Sequence, residues 1–263
     1  MDLGYSAAGF VVGFIVGMTG VGGGSLMTPI LVLLFGIKPA LAVGTDLLYA
    51  SITKASGIIV HNKNGTILWP VVGLLALGSV PTSIATVFAL KQLSEHGIDP
   101  SGLITSALGV ALILTSFAIL SRNTIIRLTA GPWFEPMRAL HERHQTAMTV
   151  GCGFILGVLV TLSSVGAGAL GVVLLFFLYP RLPAKQIIGT DLAHAVPLTA
   201  VAGLGHAHLG TVDYILLANL LIGSLPGIYL GSNLGVKLPD YVTRPALATM
   251  LLFIGVKFAA PIF

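Results

Sequence analysis

The chain has 263 residues, of which 55% are hydrophobic and only 8% are charged. Soluble domains carry a charge on about a quarter of their residues, so this composition excludes an ordinary soluble protein and indicates a helical membrane protein. The net charge of +4 does not indicate nucleic-acid binding, because the basic residues are scattered between apolar segments, and a single cysteine excludes internal disulfides and a multi-cysteine metal site.

Ten apolar segments are predicted in chain order. They lie near residues 4–20, 25–36, 40–60, 67–90, 101–121, 147–164, 168–180, 184–206, 211–236 and 242–262. No basic stretch precedes the first segment, so we expect it to be a membrane segment rather than a cleaved signal. Segment 25–36 would reach about 18 Å, against a hydrocarbon core of about 30 Å. The first two segments of each half therefore fit a glycine-broken hairpin near the membrane midplane, or two tilted spanning helices.

The two halves of the chain repeat one pattern. The shared motifs are Val-Gly-Gly-Gly and Val-Gly-Ala-Gly at 21–24 and 165–168, Pro-Ala at 39–40 and 183–184, Gly-Thr-Asp-Leu at 44–47 and 189–192, and His-x-x-x-Gly-Thr at 61–66 and 206–211. The offset is 144 residues up to Pro-Ala and 145 afterwards. Each half has an odd number of predicted crossings, so the fold class is an all-α membrane protein of two inverted-topology repeats.

The distribution of Lys and Arg predicts the orientation. The repeats cover residues 1–121 and 147–263, and the polar stretch 122–146 is predicted to be a connecting loop. With this loop in the cytoplasm, nine Lys and Arg residues lie inside and three outside, as the positive-inside rule requires. We therefore expect a multi-pass protein of the plasma (inner) membrane with both termini outside.

A family resemblance rests on the first-half motifs. Gly-Val-Gly-Gly-Gly-Ser at 20–25, Pro29 and Ala-Val-Gly-Thr-Asp at 42–46 resemble the TauE/SafE sulfite exporter family, also called TSUP. The second-half Gly-Thr-Asp at 189–191 fits as well. The resemblance implies transport of sulfite, sulfonates or related organosulfur and carboxylate anions. One departure is that the second copy has Ala167 where the first has Gly23.

The glycine-rich turns are the predicted substrate site. A helix that begins inside the membrane offers unpaired N–H groups to an anion, and glycine lets the backbone approach it closely. The alternative is that these turns need glycine only for steric reasons. The predicted contacts are Gly22, Gly23, Gly24 and Ser25 in the first turn, Gly166, Ala167 and Gly168 in the second, and Thr45 and Thr190 in the repeated Gly-Thr-Asp motifs.

Four charged or titratable residues inside predicted membrane segments are candidates for a functional role. Asp46 and Asp191 are candidates for proton coupling, or they cap helices that begin later than drawn. Lys54 attracts an anion inside the protein, or its amine extends to the cytoplasmic end of the helix. His194 lies one turn after Asp191, where it relays a proton or forms an interhelical hydrogen bond.

These features predict a secondary transporter of a small anion, and the acids within the membrane segments are compatible with coupling to protons. An anion channel remains the alternative, because paired broken helices also frame a pore. The sequence contains neither a nucleophile motif nor a zinc motif of the kind found in enzymes, so we do not expect an enzyme. We also expect no cofactor and no bound metal. The expected partners are the anionic substrate and the lipid bilayer, without nucleic acid, and a homodimer is compatible with the sequence.

Overall fold

A computed structural model describes residues 3–19, 24–130, 135–235 and 240–259, and these residues form helices and short connections without a strand. The prediction of an all-α membrane protein is confirmed. The helices in chain order are α1 (Leu3–Thr19), α2 (Gly24–Leu33), α3 (Pro39–Lys63), α4 (Trp69–Glu95), α5 (Ser101–Ala130), α6 (Glu135–Ser163), α7 (Ala169–Leu178), α8 (Ala184–His208), α9 (Tyr214–Gly235) and α10 (Asp240–Ala259).

The two shortest helices of the described chain occupy repeat-related positions. Within the described residues, the segments long and apolar enough to cross a membrane are Trp69–Glu95, Ser101–Arg122, Arg143–Ser163, Ala184–His208 and Tyr214–Gly231. Helices α2 and α7 have only ten residues each, or about 15 Å. That is half of a hydrocarbon core of about 30 Å, so neither helix can span it alone.

The central connection differs from the predicted loop at 122–146. Helix α5 continues to Ala130 and α6 begins at Glu135, so most of this stretch is helical. The prediction of a loop rested on the polar residues of this stretch, whereas Arg and other straight-chain residues are good helix formers that continue a helix.

The helices pack mainly across the two halves. Helix α1 packs on α9 and α6 packs on α4, while α3 packs on α8 and α5 on α10. Two repeated glycines allow the first two contacts. A Cβ on Gly13 would lie 2.6 Å from the carbonyl oxygen of Ser224, and one on Gly157 would lie 2.6 Å from that of Ser79. Small residues therefore let the helix backbones approach closely at repeat-related positions.

Candidate functional site

Each Gly-Thr-Asp motif contacts the opposite half of the protein. The Thr45 hydroxyl accepts a hydrogen bond from the N–H of Asp213 at 3.0 Å. The Thr190 hydroxyl accepts one from the N–H of Leu68, also at 3.0 Å. Both threonines had been predicted as substrate contacts, and the structure gives each hydroxyl a structural partner at the start of a helix in the other half.

The glycines of the same motifs explain why the two halves can approach there. A Cβ on Gly44 would overlap the carbonyl oxygen of Thr211, and one on Gly189 would lie 2.7 Å from the carbonyl oxygen of Thr66. Those carbonyls belong to the repeated His-x-x-x-Gly-Thr turns. The Gly-Thr-Asp motif of each half therefore packs against the His-x-x-x-Gly-Thr turn of the other half.

Asp46 lies fully buried inside α3, seven residues after the helix begins at Pro39. Because α3 and α8 run without interruption through both motifs, the alternative that the acids cap later helices is wrong. The Thr28 hydroxyl of α2 donates a hydrogen bond to Asp46 Oδ2 at 2.5 Å. Asp46 Oδ1 has no hydrogen-bond partner.

Asp191 occupies the repeat-related position in α8 and has a different environment. It is 3% exposed, and its Oδ1 has no hydrogen-bond partner. A Cβ on Gly171 of α7 would overlap this oxygen, so the carboxylate lies directly against the α7 backbone. The repeat counterpart of Thr28 is Val172, which offers no hydroxyl. The two acids are therefore chemically unequal.

Lys54 of α3 contacts the second glycine-rich turn. Its Nζ donates a hydrogen bond to the carbonyl oxygen of Ala167 at 2.7 Å, and the residue is only 7% exposed. The side chain therefore points into the protein rather than to the end of its helix. Lys54 is also close enough to Asp46 and Asp191 to interact with both charges. Lys54 and the second glycine-rich turn, which are separate candidates in the sequence, are therefore in direct contact.

His194 of α8 forms an interhelical hydrogen bond, in agreement with one of its two interpretations. Its Nε2 lies 2.8 Å from the Ser79 hydroxyl of α4, and its Nδ1 has no partner. The repeat counterparts, Tyr49 and Ser224, also interact. Sequence reasoning missed this pair and Ser79, although all of them occur at equivalent positions of the repeat.

The two glycine-rich turns are described to different extents. Gly22 and Gly23 lie outside the described residues, Gly24 begins α2, and the side chain of Ser25 is likewise outside the description. In the second turn Gly166 and Gly168 have φ angles of 120° and 131°, which only glycine adopts readily. This agrees with the steric interpretation of the turn.

Ser164 precedes the second turn and was not predicted. It has a φ angle of 59° and is the non-glycine residue with positive φ in the described part of the chain. Such a conformation costs about 1–3 kcal/mol and is common at functional sites. Its hydroxyl lies beside the Asp46 carboxylate, and neither Ser164 Oγ nor Asp46 Oδ1 has a hydrogen bond of good geometry. The repeat counterpart of Ser164 is Gly20. Because glycine readily adopts a positive φ angle, this counterpart indicates an unusual backbone conformation at the position.

A groove of about 970 Å³ lies elsewhere, between α4 and α6. Apolar side chains such as Leu77, Phe154 and Val158 line it, with Thr82 and Thr86 as polar exceptions. Among the described residues, the buried charged ones are Asp46, Lys54 and Asp191, and none of these borders the groove. This groove has the character of a lipid-facing surface rather than of an anion site. Across the described ranges, no three His, Cys, Asp or Glu side chains are grouped as metal ligands.

Comparison with known proteins identifies the family of this chain. The family model of "Sulfite exporter TauE/SafE" matches residues 5–258. "Probable membrane transporter protein YjnA" of Bacillus subtilis is 38% identical over 95% of this chain and 96% of its own length. YdhB of the same organism is 28% identical over 92% and 96%, and MJ0441 of Methanocaldococcus jannaschii is 24% identical over 92% and 88%; both are likewise named probable membrane transporter proteins. No solved structure matches. The chain belongs to the TauE/SafE family of membrane transporter proteins.

Proposed function

We propose that this protein is a secondary transporter that carries a small anion across the plasma membrane. The substrate is sulfite, a sulfonate or a related organosulfur or carboxylate anion. The observation that carries the proposal is the hydrogen bond from Lys54 Nζ to Ala167 O, because it holds an ammonium group among the helices at the second glycine-rich turn. Ionisable side chains within membrane segments are costly and usually mark a substrate or ion pathway.

The start of α7 adds a second attraction for an anion. Gly168 precedes the helix and provides no side-chain cap. The first N–H groups of a helix have no partner within it, and the helix dipole places partial positive charge there. Lys54 and the start of α7 therefore lie at one place, and both favour negative charge.

Asp46 and Asp191 supply groups that can bind a coupled proton. Two ionised carboxylates around one ammonium leave the buried cluster with one excess negative charge, which opposes entry of an anion. A proton taken up with the anion keeps the net charge of the cluster unchanged, so uptake of the two together is favoured. His194 lies one turn after Asp191 with a free Nδ1, and it offers the proton a further binding position.

The proposal is tested by uptake of sulfite and of simple sulfonates into proteoliposomes, with and without an imposed pH gradient. The wild type is expected to show saturable uptake that an inward-directed proton gradient stimulates. Asp46→Asn and Asp191→Asn should still bind the anion but lose this stimulation, and the effect should be larger for Asp191. The matched control is Asp99→Asn, which changes an exposed carboxylate in the α4–α5 connection.

Three results would contradict parts of the proposal. Large unitary currents without saturation would make the protein a channel. Full gradient-driven uptake by both Asn variants would remove the two acids from the coupling mechanism. Absence of uptake and of binding for every sulfur oxyanion and carboxylate tested would overturn the proposed substrate class.

A further inference from the structure

Several buried polar atoms around Lys54 lack hydrogen-bond partners. A buried polar group without a partner costs about 1–3 kcal/mol, so a group of them in one region indicates that a ligand or water completes the site. The unpaired atoms in this region are Asp46 Oδ1, Ser164 Oγ, Asp191 Oδ1 and His194 Nδ1. All four residues are at most 3% exposed.

Asp46 and Ser164 together form a place for a hydrogen-bond donor. The Thr28 hydroxyl occupies Asp46 Oδ2, which fixes the carboxylate and leaves Oδ1 as a free acceptor. The positive φ angle of Ser164 places its hydroxyl beside the same carboxylate. A donor group of a ligand can therefore bind Asp46 Oδ1 and also meet the Ser164 hydroxyl.

On the other side of the same turn the charge is positive. Ser164 and Ala167 are three residues apart, and Ala167 O receives the Lys54 ammonium. Helix α7 begins two residues later, and no side chain caps it. Residues 164–169 thus lie between an acceptor at Asp46 and positive charge at Lys54 and the helix start.

We propose that the transported anion carries its own hydrogen-bond donor, a hydroxyl or an amino group, in addition to its acid group. This inference rests on the proposed function. The acid group binds at Lys54 and the start of α7, and the donor binds Asp46 Oδ1 beside Ser164. A simple anion would meet an unpaired acceptor at Asp46, whereas a donor on the ligand turns this unfavourable contact into a hydrogen bond. Sites that hydrogen-bond a ligand hydroxyl discriminate strongly against analogues without it.

The test compares sulfonates of nearly equal size on the purified full-length protein by calorimetry. The probes are 2-hydroxyethanesulfonate, 2-aminoethanesulfonate and propane-1-sulfonate, in which a methyl group replaces the donor. At least one donor-bearing probe should bind about tenfold or more tightly than propane-1-sulfonate, in line with one good hydrogen bond to a charged group. The stronger of the two identifies the donor as hydroxyl or amino.

Two variants test whether the donor group of the probe binds at Asp46 and Ser164. Asp46→Asn should reduce the ratio of the two affinities, donor-bearing probe over propane-1-sulfonate, to a few-fold. The ratio is the readout, because loss of the Asp46 charge strengthens the binding of both anions. Asp99→Asn, which alters an exposed carboxylate, should keep the full preference. Ser164→Gly is the second variant if Asp46→Asn does not purify as a homogeneous protein. Glycine adopts the φ angle of residue 164 without strain, and its removal of the hydroxyl should weaken the same preference.

The possible failures are distinguishable. Equal binding of all three probes would overturn this inference, show that water alone completes the unpaired atoms, and leave the proposed function intact. A full donor preference in both Asp46→Asn and Ser164→Gly would also overturn it, because the donor would then bind elsewhere. No binding of any probe, together with no binding of sulfite, would overturn the inference and the proposed function together.

Discussion

The hydroxyl of Thr190 accepts a hydrogen bond from the N–H of Leu68, which lies 122 residues earlier in the chain, at a distance of 3.0 Å. The repeat reproduces the same bond, at the same distance, between Thr45 and the N–H of Asp213. Each bond joins the helix that carries a buried acid to the start of a helix in the other half. We infer that the two threonines hold the halves together and set the positions of Asp46 and Asp191.

The first prediction concerns these two hydrogen bonds. Thr45→Val and Thr190→Val keep the side-chain shape but leave a backbone N–H without its partner. Each should lower the free energy of unfolding by about 1–3 kcal/mol. Denaturant unfolding of the purified protein measures this. Thr86→Val is the control, because Thr86 bonds only to Thr82 O of its own helix, and its effect should stay within about 0.5 kcal/mol.

The second prediction concerns the contacts beneath the Gly-Thr-Asp motifs. Gly44→Ala and Gly189→Ala place a methyl group against backbone carbonyls of the opposite half. Each should destabilise the protein by about 1–3 kcal/mol through overpacking. Gly73→Ala is the matched control, because a Cβ there meets nothing within 4 Å and alanine favours the helix. Equal melting temperatures for all three variants would contradict the close contact.

The third prediction concerns the charge at the proposed anion site. Lys54→Met removes the ammonium while keeping a long side chain in the buried position. Affinity for the transported anion should fall by about ten- to a hundredfold, which corresponds to the loss of a charged hydrogen bond. The control Lys91→Met removes a surface lysine whose interaction is a pair with Glu95 at 3.7 Å, and it should bind normally. Unchanged affinity in Lys54→Met would show that Lys54 does not bind the anion.

The fourth prediction concerns the position of Asp191. Gly171→Ala would force the carboxylate away from the α7 backbone, because the added methyl group overlaps Oδ1. Gradient-driven uptake should fall by at least about tenfold, since displacement of a reacting group by about 1 Å costs up to about a hundredfold in rate. Gly151→Ala has open space around its Cβ and should transport normally. Equal uptake by the two variants would show that the position of Asp191 has no role.

Much of the site could be predicted from sequence because the repeat marks its residues twice. Asp46 and Asp191 stand out as isolated acids in apolar segments, and the glycine-rich turns precede short helices as expected. The partners could not be predicted. Thr45 and Thr190 are predicted substrate contacts, and only the packing of the halves shows that their hydroxyls accept hydrogen bonds from backbone N–H groups.

The sequence by itself determined the membrane environment, the helical class, the family and the repeat-related positions of the polar residues. These follow from composition, from segment length and from motif spacing, which are local or periodic properties of the chain. Only the tertiary structure decided which residues meet. Lys54 and Ala167 are 113 residues apart, and their contact depends on how α3 packs against the second half. The unequal surroundings of the two acids, with Thr28 beside one and Gly171 against the other, likewise come from packing between helices.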